Sequence, residues 1–116
     1  MNWLEMSDKE IMEIVTPIMD NLMQASTDIE HERHIRDFSD RLKKIVTKEN
    51  LENQCKEYRE KLGFFSKRDL VGIFRKRNDV RVFWRQWYTK SNDEYVAFIH
   101  LSENNGRLEV INVSVS

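Results

Sequence analysis

The sequence predicts an α+β domain: three N-terminal helices packed on a curved, four-stranded antiparallel meander. Two observations carry that prediction. Apolar residues recur at helical spacing up to Gly63, and beyond it the periodicity changes to two. The strand candidates are also joined by connections too short for parallel crossovers, which leaves an antiparallel order. At 116 residues, 40% hydrophobic and 34% charged, with 3 Gly and 1 Pro, the chain reads as one domain over 1–116. Helices fall at about 8–62 and the sheet at about 67–115 in this reading.

The first helix is announced by Ser7-x-x-Glu10, a capping box, with Met6 placed to staple onto Ile11. Ile11, Ile14, Val15, Ile18, Leu22 and Ala25 form its apolar stripe, with Met12, Met19 and Met23 beside it. Pro17 interrupts that stripe and predicts a kink near Glu13, whose carbonyl loses its donor. Thr27-x-x-Glu30 reads as a second capping box, opening a run with Ile35, Phe38, Leu42 and Ile45 on one face. That run is one helix to Val46 or two short ones broken near Ser39. Thr47 caps a third helix over 48–62, with Leu51, Cys55, Tyr58 and Leu62 inward and Gly63 at its C-terminal stop.

Four strand candidates follow, over 67–76, 80–89, 95–101 and 107–115, and Asn105-Gly106 is the strongest hairpin signal. On the second strand, Val80, Val82, Trp84, Gln86 and Tyr88 make a core face. Arg81, Phe83, Arg85, Trp87 and Thr89 make the opposite, basic-aromatic one. An antiparallel sheet with one wet face alternates between apolar and polar. Here both faces hold apolar residues: Val96 and Phe98 oppose Ala97, Ile99 and Leu101, and Leu108 and Val110 oppose Ile111, Val113 and Val115. Helices cover one face, so the other is expected to meet a second copy of the chain, making a homodimer. Arg81, Phe83, Arg85 and Trp87 are the expected interface, since arginine and tryptophan dominate such surfaces.

Charge is uneven although the formal total is only −1. Residues 1–60 hold 9 Lys/Arg against 14 Asp/Glu, residues 61–90 hold 9 against 2, and residues 91–116 hold 1 against 4. A basic middle in a near-neutral chain points to a local patch, not to bulk affinity for nucleic acid. Single-stranded nucleic acid on the basic, aromatic strand pair is the weaker alternative, and it would bind with steep salt dependence. No apolar run approaches the roughly 20 residues of a membrane span. The lone Cys55 allows no intrachain disulfide, which suits a reducing, cytoplasmic setting or equally a fragment processed from a secreted precursor.

Motifs for catalysis are sparse. His31-Glu32-Arg33-His34 places two imidazoles at i, i+3, but no third ligand falls at a predictable spacing, so a solvated helix face is expected. His100 reads as a half-buried hydrogen-bonding histidine at a strand end, and Cys55 as a core residue. There is no Gly-rich phosphate loop, nucleophile elbow or cysteine pair. No cofactor or metal is called for.

The element order resembles the cystatin-like fold, in particular the superfamily of nuclear transport factor 2 and ketosteroid isomerase, and most of all its small bacterial domains of unknown function. The likeness rests on D-F-S-D-R-L-K-K-I-V-T (Asp37 to Thr47), on a helix ending in Leu62-Gly63, and on the strands L-V-G-I-F-R-K (Leu70 to Lys76) and V-R-V-F-W-R (Val80 to Arg85). It covers roughly residues 8–115 as an order of elements, without a signature motif. The resemblance implies a cone-shaped pocket between helices and sheet, and often a dimer through the outer sheet face. Candidate pocket residues are Ile18, Leu22, Phe38, Tyr58, Val82 and Trp84. The isomerases of that superfamily use an aspartate base facing a tyrosine and a protonated aspartate, and that set has no counterpart here. The expected function is therefore a non-catalytic binding and assembly domain with room for a small apolar ligand. The alternative is a small-molecule isomerase or dehydratase using Tyr58 with His31, His34 or His100.

Overall fold

A computed structural model describes residues 2–116. Helix α1 spans Asp8–Asp28, α2 His31–His34, α3 Asp40–Ile45 and α4 Lys48–Leu62. Strands β1 (Phe65–Arg75), β2 (Asp79–Tyr88), β3 (Tyr95–Asn104) and β4 (Arg107–Val115) follow. They form one antiparallel sheet in the order β1-β2-β3-β4. The predicted α+β meander is the fold observed.

Local chemistry explains most of the helix ends. The Ser7 hydroxyl accepts from the Glu10 amide and the Glu10 carboxylate accepts from the Ser7 amide, both at 3.1 Å, so two orphan donors are satisfied. That bond to the Ser7 amide, then the Ser7 hydroxyl, holds the Glu10 carboxyl below the usual carboxylate range. Ser39 and Thr47 cap α3 and α4 in the same way, accepting from Leu42 and Asn50. Ser39 is thus the break in the run that sequence spacing left as one helix or two.

Thr27 opens no helix. Helix α1 carries on through it to Asp28, and the Thr27 hydroxyl donates back to the Met23 carbonyl at 3.1 Å. The chain turns instead at Ile29, in the left-handed region at φ 54°, whose amide reaches the carbonyls of Ala25 and Ser26. An apparent capping box inside a strong amphipathic stripe lost to continuation of that stripe. Pro17 does not end α1 either: it sits on the exposed side, where water can serve the Glu13 carbonyl. Met19 and Met23 belong to the buried stripe rather than its margin.

The core lies between α1 and one face of the sheet. Ile11, Val15, Met19 and Leu22 meet Val80, Val82, Trp84, Ala97, Ile99 and Leu101, with Trp3 and Phe38 closing the sides. Val80, Val82, Trp84 and Gln86 are buried, as their alternation predicted. Strand β4 departs from strict alternation. Leu101 pairs with Val110 but His100 pairs with Asn112, which leaves Ile111 as an inserted bulge residue. The bulge resets the parity, so Val113 and Val115 pack toward the core together with Leu108 and Val110.

The outer face is consequently less apolar than alternation implied, and its hydrophobic part is confined to β1, β2 and β3. There Phe74 and Val71 are 61% and 59% exposed, and Val96 is 49% exposed. The segment between α2 and α3 covers part of the β4 edge. Ser39 donates to the Val110 carbonyl at 2.9 Å and Val110 to the Asp37 carbonyl at 2.6 Å, which blunts an edge that would otherwise be open.

Candidate functional site

A cavity of about 330 Å³ opens between α4, the end of α1 and the ends of β1, β2 and β4. Its roof is the inner side of α4, with Leu51, Cys55, Tyr58 and Arg59. Met23, Ser26 and Thr27 from the end of α1 form one wall, and Val113 and Val115 form another. The bulge at Ile111 is what turns these two valines inward. Gly63 shapes the mouth. Its φ of 80° and ψ of −131° are open to glycine, and a side chain there would run into the Thr89 hydroxyl. That hydroxyl instead accepts from the Phe64 amide at 3.0 Å, tying the start of β1 to the end of β2.

Under the cavity lies a polar pair. Gln86 is fully buried, and its amide nitrogen donates to the Tyr88 hydroxyl at 3.2 Å and approaches Met23 sulfur at 3.6 Å. The Gln86 carbonyl has no protein partner. Because Tyr88 accepts from Gln86, its own proton is left to donate elsewhere. Burial pushes the Tyr88 phenol up, so it stays protonated at neutral pH. Tyr95 packs on it edge-on, with ring centres 5.1 Å apart.

His34 also lines the cavity. Burial, and then the neighbouring charge of His31, lowers its pKa to about 4, so the ring is neutral at pH 7. It sits edge-on to Phe38 at 5.3 Å, and its Nδ1 is buried without a partner. The expected solvated His31/His34 face is therefore corrected: His34 is packed, and His31 Nε2 lies 2.9 Å from the Val46 carbonyl. Two neighbours at i, i+3 on a turn as short as α2 need not share an environment. Among the described residues no three His, Cys, Asp or Glu side chains converge. The Cys55 thiol is pushed up by burial, and is thus a poor nucleophile at neutral pH.

Of the six residues named for the pocket, Tyr58 lines this cavity. Leu22, Phe38, Val82 and Trp84 are no more than 3% exposed and fill the solid core. Ile18 packs against that core from its side. Periodicity places a residue on a face but not at the depth where packing leaves a gap. Among the lining residues missed are Met23, Arg59, Tyr88, Val113 and Val115. Gln86 gave the one available signal, a polar side chain within an otherwise apolar core face.

Arg81, Phe83, Arg85 and Trp87 all stand on the outer face. Phe83 is the centre of an aromatic row, 5.6 Å from Phe74 and 4.9 Å from Phe98. Lys67 lies over Trp87 at 5.0 Å, and Arg85 faces Glu94 at 3.7 Å. Beside the row is an open groove of about 530 Å³ along Val71, Gly72 and Val96. His100 is on this face too, far from Tyr58 in the fold, with its Nε2 3.2 Å from Asp79. Burial lowers the His100 pKa and the Asp79 carboxylate opposes that.

No family model and no curated protein matches the chain. Solved structures do. The chain superposes on Bd1075 of Bdellovibrio bacteriovorus with a TM-score of 0.53 at 15% identity, covering 90% of itself but 39% of that chain. A variant of the protein Rd1NTF2_05, of the nuclear transport factor 2 type, gives 0.59 at 9% identity, with 90% and 97% covered. RPA3114 of Rhodopseudomonas palustris, a protein containing a SEC-C motif, gives 0.57 at 11% identity, with 93% of each chain covered. At such identities the likeness is one of fold alone. With its helices first and its curved antiparallel meander after them, this chain has the nuclear transport factor 2-like fold.

Proposed function

We propose that the protein is a small, non-catalytic ligand-binding domain that assembles as a homodimer through the outer face of its sheet. One observation carries the binding half. The cavity between helices and sheet is lined mostly by apolar and neutral polar groups, with Arg59 at its edge and, among the described residues, no Asp or Glu. Its size falls in the range of about 300–1,000 Å³ usual for small-molecule sites. A fully collapsed core would leave the buried Gln86 carbonyl and His34 Nδ1 beside it with nothing to meet, whereas a ligand or bound water can serve them.

Isomerase or dehydratase chemistry finds less support. Of the titratable groups considered for it, only Tyr58 and His34 reach the cavity. No carboxylate joins them there, and a histidine with a pKa of about 4 is a weak base at neutral pH.

The assembly half rests on the outer aromatic row, with Phe74 exposed and Phe83 and Phe98 half-buried, flanked by the exposed Val71 and Val96. A single exposed apolar residue means little, but a contiguous patch calls for cover. A second copy suits it because the face carries both signs, with Arg85 beside Glu94 and Lys67 beside Asp69, so a two-fold contact can match charge with charge. Light scattering is the test. The wild type is expected at twice the 14.0 kDa chain mass, with Trp87→Glu and Phe74→Glu at the chain mass. A wild-type monomer at high concentration overturns the assembly half. For the binding half, Val113→Trp is expected to abolish any thermal stabilisation by small apolar compounds. If Val113→Trp folds and such stabilisation persists, the ligand sits elsewhere.

A further inference from the structure

The charge around the cavity mouth is unusually one-sided. Five arginines are matched to acids, Arg33 to Asp28 and Glu30, Arg36 to Asp37, Arg68 to Asp20, Arg75 to Asp8 and Arg85 to Glu94, and Arg41 donates to the Ile111 carbonyl away from the cavity. Arg59 is not paired in that way. It stands at the mouth, donates to the Thr27 carbonyl at the end of α1, and lies over the Phe64 ring at 5.7 Å.

The guanidinium is held by a backbone carbonyl and a ring, with no carboxylate paired to it among the described residues and further N–H donors to offer. The negative end of α1, which alone would favour a cation, is occupied by Arg59 itself. Three acids of α4 and the α1–α2 turn are already engaged, Glu57 by Lys61 and Asp28 with Glu30 by Arg33. Arg59 is the only charged side chain lining the cavity among the described residues, since His34 is neutral. Behind it the lining turns apolar, with Met23, Leu51, Val113 and Val115.

We infer that the cavity takes a small monocarboxylate with an apolar body, its carboxylate held at the mouth by Arg59 and its body running inward between Met23 and Val113. A carboxylate matches the planar guanidinium fork better than a neutral hydroxyl does. An amine would meet a like charge with no acid to receive it. This inference rests on the cavity being a ligand site, as proposed above, and adds the sign of the ligand's charge and its orientation.

The test is calorimetric titration of the full chain with octanoate, 1-octanol and octylamine, which share one apolar body and differ at the head. Octanoate is expected to bind about 10-fold more tightly than octanol, with octylamine weakest. Arg59→Gln is expected to cut octanoate affinity about 10-fold, to the level of octanol, and to leave octanol within about twofold. Arg59 is exposed, so this variant keeps the fold, which circular dichroism verifies. Val113→Trp is expected to remove binding of both. If octanol equals octanoate, or Arg59→Gln changes neither, the charge assignment is overturned while the ligand site stands. If none of the three binds, the ligand site fails, and the inference with it.

Discussion

Replacing Gln86 by methionine should stabilise the protein, although Gln86 is fully buried and central to β2. Methionine nearly matches glutamine in length and volume, so the substitution changes polarity and little else. The glutamine amide hydrogen-bonds the Tyr88 hydroxyl at 3.2 Å, a contact that contributes about 1 kcal/mol net. Its contact with Met23 sulfur, at 3.6 Å, is weak. Against these stands a buried carbonyl with no protein partner, which costs about 1–3 kcal/mol relative to its hydrated state. The balance favours Met by about 1 kcal/mol, or roughly 4 °C in Tm for a domain of this size.

Urea unfolding followed by tryptophan fluorescence measures it, with an unchanged denaturant slope expected. Gln86→Ala controls for volume and should instead lose about 2 kcal/mol by opening a void. A loss of 1 kcal/mol or more in Gln86→Met would refute the reasoning. It would mean that the carbonyl is served, by water or by a ligand carried through purification.

Two further stability predictions follow from the same region. Gly63→Ala should cost about 2–3 kcal/mol, because alanine is strained at φ 80° and its methyl meets the Thr89 hydroxyl; a loss under about 0.5 kcal/mol in thermal unfolding would show that this turn relaxes freely. His34 makes the fold acid-sensitive. The unfolded imidazole takes a proton near pH 6.5, whereas the folded one resists until about 4, chiefly through burial. Between those values the unfolded state binds more protons, so stability is full above pH 6.5 and falls as pH drops toward 4, by about 3 kcal/mol at most. His34→Gln should flatten that part of the stability curve, and a wild-type curve that is already flat there would place the ring in water.

The sequence revealed the fold through features that act locally or repeat. The Ser7 and Thr47 caps, the Asn105-Gly106 turn and the inward row of Val80, Val82 and Trp84 all behave in the structure as their chemistry requires. Where it misled, a longer-range preference overrode a local one. Thr27 has the right neighbours for a cap, but α1 buries Met23 and Ala25 just before it, and that stripe carries the helix on. The site was less legible for a related reason. Which residues line a gap depends on how α4 is placed against α1 and the sheet, and no spacing rule encodes that placement. Tyr58 was found because it lies on the inward stripe of α4 with Leu51 and Cys55, and Leu22 and Phe38 were drawn in because apolarity marks the filled core as strongly as the empty part.

The bulge at Ile111 joins these two lines of reasoning. Strict alternation along β4 would have sent Val113 and Val115 outward, enlarging the outer apolar face and leaving the cavity wall polar with Asn112 and Ser114. One inserted residue does the reverse: it takes two valines off the outer face and adds them to the cavity wall. The outer face then owes its apolar character to Phe74, Phe83, Trp87, Phe98, Val71 and Val96, all on β1 to β3. The proposed assembly face and the proposed ligand cavity consequently lie on opposite faces and separate parts of the sheet. A substitution such as Trp87→Glu can dissociate a dimer without touching the cavity, and Val113→Trp can fill the cavity without touching the dimer. Because the two surfaces share no residue, effects of the two substitutions should add, and coupling between them would point to a sheet whose curvature changes with what it holds.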